Sequence, residues 1–382
     1  MHHHRYNKEY KFVCNPIKFD KYTSREILQF CLGATMYMPG TKDFTEGIIN
    51  EKYPGLTSIV MCFEDACPED KVAEAEENVH RLLRFLHDQV DNGLLDRDII
   101  PLIFVRVRNV EQFRHFADGL NEKEVKMLAG INFPKFDSSV GESYFEQLKK
   151  LNDRYGEILY GMPIIESTDV AYKETRIDEL IKIKRILDRY KDLVLQVRVG
   201  ATDFSSCFGA RRGISYTVYD IMVVREILCD ILNIFSRNND YVISGPVWEY
   251  FRASQAMKFE ELPEFNFQND LIKRTPIFNE AVDGLMREVM LDKANGFIGR
   301  TIIHPTHIRF VNALQAVIRE EYDDAVQILG ADAGNGGVVK SGSGGKMNEI
   351  KPHTSWAQKI YWRAKAYGVI EDQAEYLKLI NI

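Results

Sequence analysis

Apolar residues in this chain gather into short unbroken runs, separated by longer segments in which they return every three or four positions. Eight runs stand out: ATMYMP (34–39), TSIVMCF (57–63), PLIFVRV (101–107), LAGINFP (128–134), EILYGMPII (157–165), LVLQVRVG (193–200), YVISG (241–245) and RTIIHP (300–305). Runs without polar alternation suit strands buried on both faces, as in a parallel sheet. Between the second and third, Val72, Ala75, Val79, Leu82, Leu83, Leu86 and Val90 fall on one helical face, with Pro68, Glu69 and Asp70 at its start. RIDELIKIKRILDRY (176–190) and TVYDIMVVREILCDILNIF (217–235) repeat that periodicity. Eight strand-helix alternations predict an α/β fold, a (β/α)8 TIM barrel. The competing doubly wound sheet calls for a glycine-rich phosphate turn after its first strand, and MPGTKD offers one glycine there.

Residues 330–353 break the pattern with glycines and no apolar period. A Walker loop ending at Gly345 and Lys346 fails, because Lys340 and Met347 occupy the positions that need Gly and Ser or Thr. A linker to the helix SWAQKIYWRAKAYGV and a hinged lid over the barrel mouth share this composition. The expected division is an N-terminal extension over 1–30, the barrel over 31–325, and a C-terminal Gly-rich lid plus helix over 326–382.

Composition narrows the function. The chain has 382 residues, 45% of them hydrophobic, and a formal net charge of -7. Lys and Arg scattered among acids form no basic face, which argues against nucleic acid as a partner. No run reaches the ~18 apolar residues of a membrane helix, and the start carries no hydrophobic signal core. Six cysteines without a CxxC pair suit a reduced, cytoplasmic protein. The opening MHHH reads as a tag remnant or a disordered start.

Catalytic groups of a barrel stand where strands end at its C-terminal face. That rule selects Glu64 and Asp65 after the second run, Arg106 and Arg108 at the third, Lys135 after the fourth, Glu166 after the fifth, Asp203 after the sixth and His304 at the eighth. Glu166 and Asp203 each leave an apolar strand for the same mouth, and two carboxylates are a sensible minimum for Mg2+. Either alone would read as a helix cap or surface acid. Arg106 demands an anion, which an internal acid or a substrate carboxylate would supply. Lys135 suits a substrate contact or a solvated rim equally, His304 a packing corner, and Trp248 and Tyr250 core and rim.

In order along the chain, MYMPG (36–40), CFEDAC (62–67), VRVR (105–108), IES (165–167), GATDF (200–204) and IIHP (302–305) are similar to the LFVPG, DLEDAV, VRVN, IET, GADL and AIHP of one family. The chain resembles the HpcH/HpaI aldolase and citrate lyase beta-subunit family, more closely its divergent branch found beside bacterial tellurite-resistance and stress genes. The resemblance implies a carbon-carbon bond lyase dependent on Mg2+ or Mn2+, forming or breaking a bond next to a carboxylate or thioester of a small anionic substrate, in a homo-oligomer such as a trimer. Carried across, Glu166 and Asp203 are the metal ligands, Arg106 the clamp on substrate carboxylate or enolate, and Glu64 and Asp65 the acids holding the metal's waters and that clamp. MNEIKP (347–352) resembles the family's C-terminal MID.P-like stretch, which makes Glu349 the acid brought over the active site, often of a neighbouring subunit. Three departures qualify this. Cys62 replaces the first acid of DLED, Asp65 stands where pyruvate-type aldolases carry His, and Arg108 replaces Asn, an added cation that suits a more anionic substrate. Coenzyme A thioester use stays open. The rival expectation is a catalytically retired barrel that binds a metabolite or partner protein in a stress response.

Overall fold

The computed structural model describes residues 1–251, 277–331, 337–342, 345 and 347–380. Seven parallel strands are its frame: β1 (Ala34–Pro39), β2 (Ser58–Cys62), β3 (Leu102–Arg106), β4 (Leu128–Phe133), β5 (Tyr160–Ile165), β6 (Arg198–Val199) and β7 (Arg300–Ile302). They pair in the order β6-β5-β4-β3-β2-β1-β7. Every residue of β2, β3, β4 and β5 is buried, as unbroken apolar runs require. The seventh run, expected as a strand, makes only two bridges, Val197 to Ile243 and Gly245 to Arg300. Those bridges join the two edges and curl the sheet round, and Pro246, which has no N–H, ends the ladder there. Between β4 and β5 the backbones approach so closely that a Cβ on Gly130 would stand 2.1 Å from the Tyr160 carbonyl oxygen.

Helices cover the outside. Val72–Asp91 buries Ala75, Val79, Leu82, Leu83 and Leu86, the inward positions of the expected face, and begins after a single 3-10 turn at Glu69–Lys71.

Two expectations about the ends are corrected. The N-terminal histidines are neither a loose tag nor disordered: His3 and His4 are 0% and 1% exposed, and the His3 ring stacks on Tyr367 with centroids 4.3 Å apart. His3 Nδ1 also lies 3.1 Å from Thr57 Oγ1, and burial drives both imidazoles toward the neutral form, which lowers the cost of enclosing them. The second correction concerns the C-terminal lid. Helix Ile350–Tyr367 packs against Arg319–Gly330 and against loops that feed the strands' N-terminal ends. Lys359 Nζ donates to Gly296 O, Asn239 Nδ2 to Ser355 O, and Tyr367 reaches His3 beside Gly33. The C-terminal helix's apolar positions Ala357, Ile360 and Ala364 pack with Ala325 and Ile328 of that preceding helix. The C-terminal helix does not cover this chain's own mouth. Of the proposed hinge glycines, Gly334, Gly336 and Gly344 lie outside the described residues.

No helix among the described residues is long and apolar enough to cross a membrane.

Candidate active site at the strand ends

Glu64 and Asp65 follow β2 after Phe63, and the chain turns between them. Glu64 is buried while the Asp65 side chain is half exposed, and the Asp65 amide donates to Glu64 Oε2 at 2.7 Å. From β3, Arg106 sends a single nitrogen, Nη2, to three carboxylates: Glu64 at 2.7 Å, Asp65 at 3.1 Å and Glu166 at 3.1 Å. Arg106 Nε is buried without a partner. Lys135, after β4, donates its amide to Glu166 Oε1 at 2.9 Å and its ammonium to Glu64 Oε1 at 2.7 Å. It holds a positive φ of 46°, a conformation few non-glycine residues adopt, so the backbone itself is shaped around Glu166.

Glu166 and Asp203 converge over Gly200. A Cβ placed on Gly200 would lie 2.4 Å from Glu166 Oε2 and 3.0 Å from Asp203 Oδ2. Burial, opposed by Arg106 and reinforced by the nearby Asp203 charge, pushes the Glu166 carboxyl up to about 7. Burial and the Asp65 charge raise Asp203 as well. Asp65 goes the other way: burial works against its charge, but its hydrogen bond with Glu64 and the Arg106 and Lys135 cations hold it below the ordinary range. Two carboxylates that resist ionisation side by side are a donor set waiting for a cation. Among the described residues no group of three or more His, Cys, Asp or Glu is arranged to hold a metal. The pair therefore fits a hard ion that keeps several waters, as Mg2+ does, and not a fully caged one.

The cavity over this pair measures about 420 Å3 and is lined by Tyr37, Cys62, Arg106, Glu166, Arg198 and Asp203, among others. A larger hollow of about 740 Å3 lies on the outer wall between Lys173–Arg189 and Met222–Phe235, and no strand end opens into it. Volume is a poorer guide than the convergence of carboxylates.

Not every expected residue comes to this cavity. Arg108, expected as a substrate contact, turns onto the loop that carries the paired acids, with Nη1 donating to Phe63 O at 3.1 Å and Cys67 O at 3.2 Å. Loop carbonyls at hydrogen-bond distance give its charge a local partner. Glu349 ends the hairpin strand Met347–Glu349 and precedes the C-terminal helix at the opposite end of the barrel. His304 is a cap, accepting at Nδ1 from the Thr306 amide at 3.3 Å and stacking on Phe251. Cys62 lines the cavity as a thiol that burial keeps protonated. The strand-end rule does not select Arg198, Tyr37 or Gly200, which also line the cavity. Arg198 carried a readable signal, since VRVG repeats the apolar-flanked arginine of VRVR.

Comparison with known proteins bears on the fold. The structure superposes on a citrate lyase from Burkholderia xenovorans LB400 with a TM-score of 0.60, at 16% identity, over 91% of this chain and 96% of that one. It also resembles the CitE protein of Mycobacterium tuberculosis, solved with magnesium, acetoacetate and coenzyme A, with a TM-score of 0.51, at 17% identity, over 88% and 99% of the two chains. Among curated proteins none matches by sequence. Residues 26–369 match the family model described as C-C bond lyase of the TIM-barrel fold, and the chain belongs to that family.

Proposed function

We propose that the protein is a Mg2+-dependent carbon-carbon bond lyase, similar to citrate lyase beta subunits, that cleaves or forms a bond next to a carboxylate or acyl thioester through an enolate. The observation that carries this reading is the convergence of Glu166 and Asp203 over Gly200, beside Arg106, at the open ends of the strands. Glu166 and Asp203 would hold Mg2+, or Mn2+ in its place, which would supply fixed positive charge in the cavity for a developing oxyanion. The magnesium and coenzyme A bound by the Mycobacterium tuberculosis neighbour support the metal and make a thioester the first substrate class to try.

The chain's own residues divide the remaining work. Arg106 is locked at Nη2 by three acids, so its planar group keeps one orientation and presents its charge to the cavity it lines. Lys135 fixes Glu166 through its amide and Glu64 through its ammonium. A proton must still move at the carbon that becomes nucleophilic. Lys135, bonded to Glu64, is raised further into its charged form, and Asp65 is lowered into its own, so neither yields or takes a proton readily near neutral pH. That task falls to Glu349 of a neighbouring copy in a homo-oligomer, since within one chain Glu349 sits at the far end. The test is calorimetric titration of Mg2+ into the wild type, Glu166→Gln and Asp203→Asn, followed by turnover of acyl-CoA and hydroxy-acid substrates. Binding lost in both variants supports the site; undiminished affinity in both removes it.

A further inference from the structure

Six arginines are buried among the described residues: Arg106, Arg176, Arg198, Arg212, Arg300 and Arg363. Five of them meet a carboxylate. Arg106 meets Glu64, Asp65 and Glu166, Arg176 meets Asp230, Arg212 and Arg300 share Glu288, and Arg363 meets Glu321. Arg198 is the exception. It is 2% exposed, yet its guanidinium touches only neutral groups: Nη2 donates to Thr301 Oγ1 at 2.7 Å, and Nη1 to Gln196 Oε1 at 3.2 Å and Thr35 Oγ1 at 3.4 Å. Nε is buried with no partner among the described residues. The flat cation lies 5.5 Å from the Tyr37 ring centroid.

A guanidinium stays charged whatever its burial, and an uncompensated charge in a protein interior costs several kcal/mol after relaxation. The two weak acids nearby do not neutralise it, because burial keeps the Tyr37 phenol and the Cys62 thiol protonated. Nor is Arg198 tucked into the barrel wall. It lines the same cavity as Arg106, Glu166 and Asp203, with Thr301 and Tyr37 around it. Among the described residues every other buried arginine is paired with an acid, and this one alone stands unmatched in that cavity.

We infer that Arg198, with Thr301 and Tyr37, forms a second anion subsite on the floor of the cavity, which takes a carboxylate of the substrate distinct from the group at Glu166 and Asp203. Identifying that anion as substrate rests on the lyase reading above, whereas the subsite itself does not. It narrows the substrate class to molecules with a carboxylate apart from the reacting centre, such as dicarboxylates or carboxyacyl thioesters. The planar fork of arginine suits a carboxylate, and the threonine hydroxyl beside it adds a third donor.

The test uses malonate as the dicarboxylate probe, malonamide as its uncharged counterpart, and inorganic phosphate as a competing oxyanion. Binding is followed by calorimetry and by thermal melting of the wild type, Arg198→Met and Arg198→Lys, with Mg2+ titrated separately into each. The expected result is that malonate binds the wild type and raises its melting temperature, malonamide does neither, and Arg198→Met weakens malonate at least tenfold with Mg2+ affinity unchanged. Arg198→Met should also melt no lower than the wild type, because it deletes an unpaired buried charge. A merely structural arginine would give the opposite, a large drop in melting temperature with malonate binding intact, and that overturns the inference. So does failure of malonate to bind the wild type, or preference for phosphate with malonate excluded. If Arg198→Met does not fold, Arg198→Lys carries the comparison, with weakened malonate expected and full affinity contradicting the subsite. Should Mg2+ fail to bind the wild type while malonate still depends on Arg198, the lyase reading fails and the anion subsite stands.

Discussion

Replacing Gly200 by alanine is a sharp perturbation of the proposed centre, because its consequence is written in three distances. The added methyl would lie 2.4 Å from Glu166 Oε2, 2.5 Å from Glu166 Cβ and 3.0 Å from Asp203 Oδ2, against 3.4–4 Å for ordinary contact. The backbone is no obstacle, since Gly200 has a φ of -98°. Relief must therefore come from the carboxylates. Glu166 cannot swing away alone, as its Cβ is itself struck and its Oε1 is tied to Arg106 and the Lys135 amide. A displacement of about 1 Å is needed, whereas Mg2+ accepts oxygens only near about 2.0–2.1 Å in a close octahedron. Overpacking of this kind costs about 1–3 kcal/mol, which corresponds to roughly five- to 150-fold in Kd if it falls on the bound state. Gly213→Ala is the matched control, since its nearest atom, on Tyr216, would be 3.6 Å away. Mg2+ calorimetry with circular-dichroism melting on both variants decides the matter. A folded Gly200→Ala protein that binds Mg2+ as the wild type does would refute the convergence of these two carboxylates as the metal site.

Other outcomes follow from the same geometry. Arg106→Met takes the guanidinium from the buried Glu166 and leaves Glu64 with Lys135 alone, and should cost about 3–5 kcal/mol in urea unfolding; a loss below about 1 kcal/mol would mean that the acids do not depend on it. Mg2+ binds the carboxylate form of Glu166, so in the metal-free protein affinity should fall about tenfold per pH unit below about 7, with proton release on binding. The same raised carboxyl makes the native chain hold an extra proton between 4.5 and about 7, so its contribution to metal-free stability is present below that window and lost as pH rises through it. Glu166→Gln should flatten the stability profile, and an unflattened one would assign the proton elsewhere. Glu349→Gln should leave Mg2+ affinity untouched; a drop in turnover alone would place Glu349 of a neighbouring copy at the mouth, and full turnover would free it from the mechanism.

The strands and the acids at their ends were legible because both leave one-dimensional traces. An apolar run signals double-sided burial, and Glu64, Glu166 and Asp203 stand where such runs stop. What pairs with what was not legible. The rule that a buried guanidinium needs an anion was applied to Arg106 in VRVR and applies equally to Arg198 in VRVG, yet only the packed barrel reveals that one finds three acids and the other none. Arg108 misled for a related reason: a cation near a strand end suggests substrate, but two loop carbonyls within reach hold it. Glycines in 330–345 signal freedom without direction, so they could not say at which end of the barrel the last helix would dock. His3 and His4 look solvent-seeking until Tyr367, far along the chain, supplies the ring that covers one of them.

The central claim is that Glu166 and Asp203 together hold the divalent cation. Anomalous diffraction at the manganese edge, from crystals grown with Mn2+ in place of Mg2+, tests it directly. The account predicts one strong peak within coordinating distance of both carboxylates, over Gly200 and facing the Arg106 cavity. A peak bound by other residues, or no peak there in crystals of protein that binds Mn2+ in solution, would contradict it.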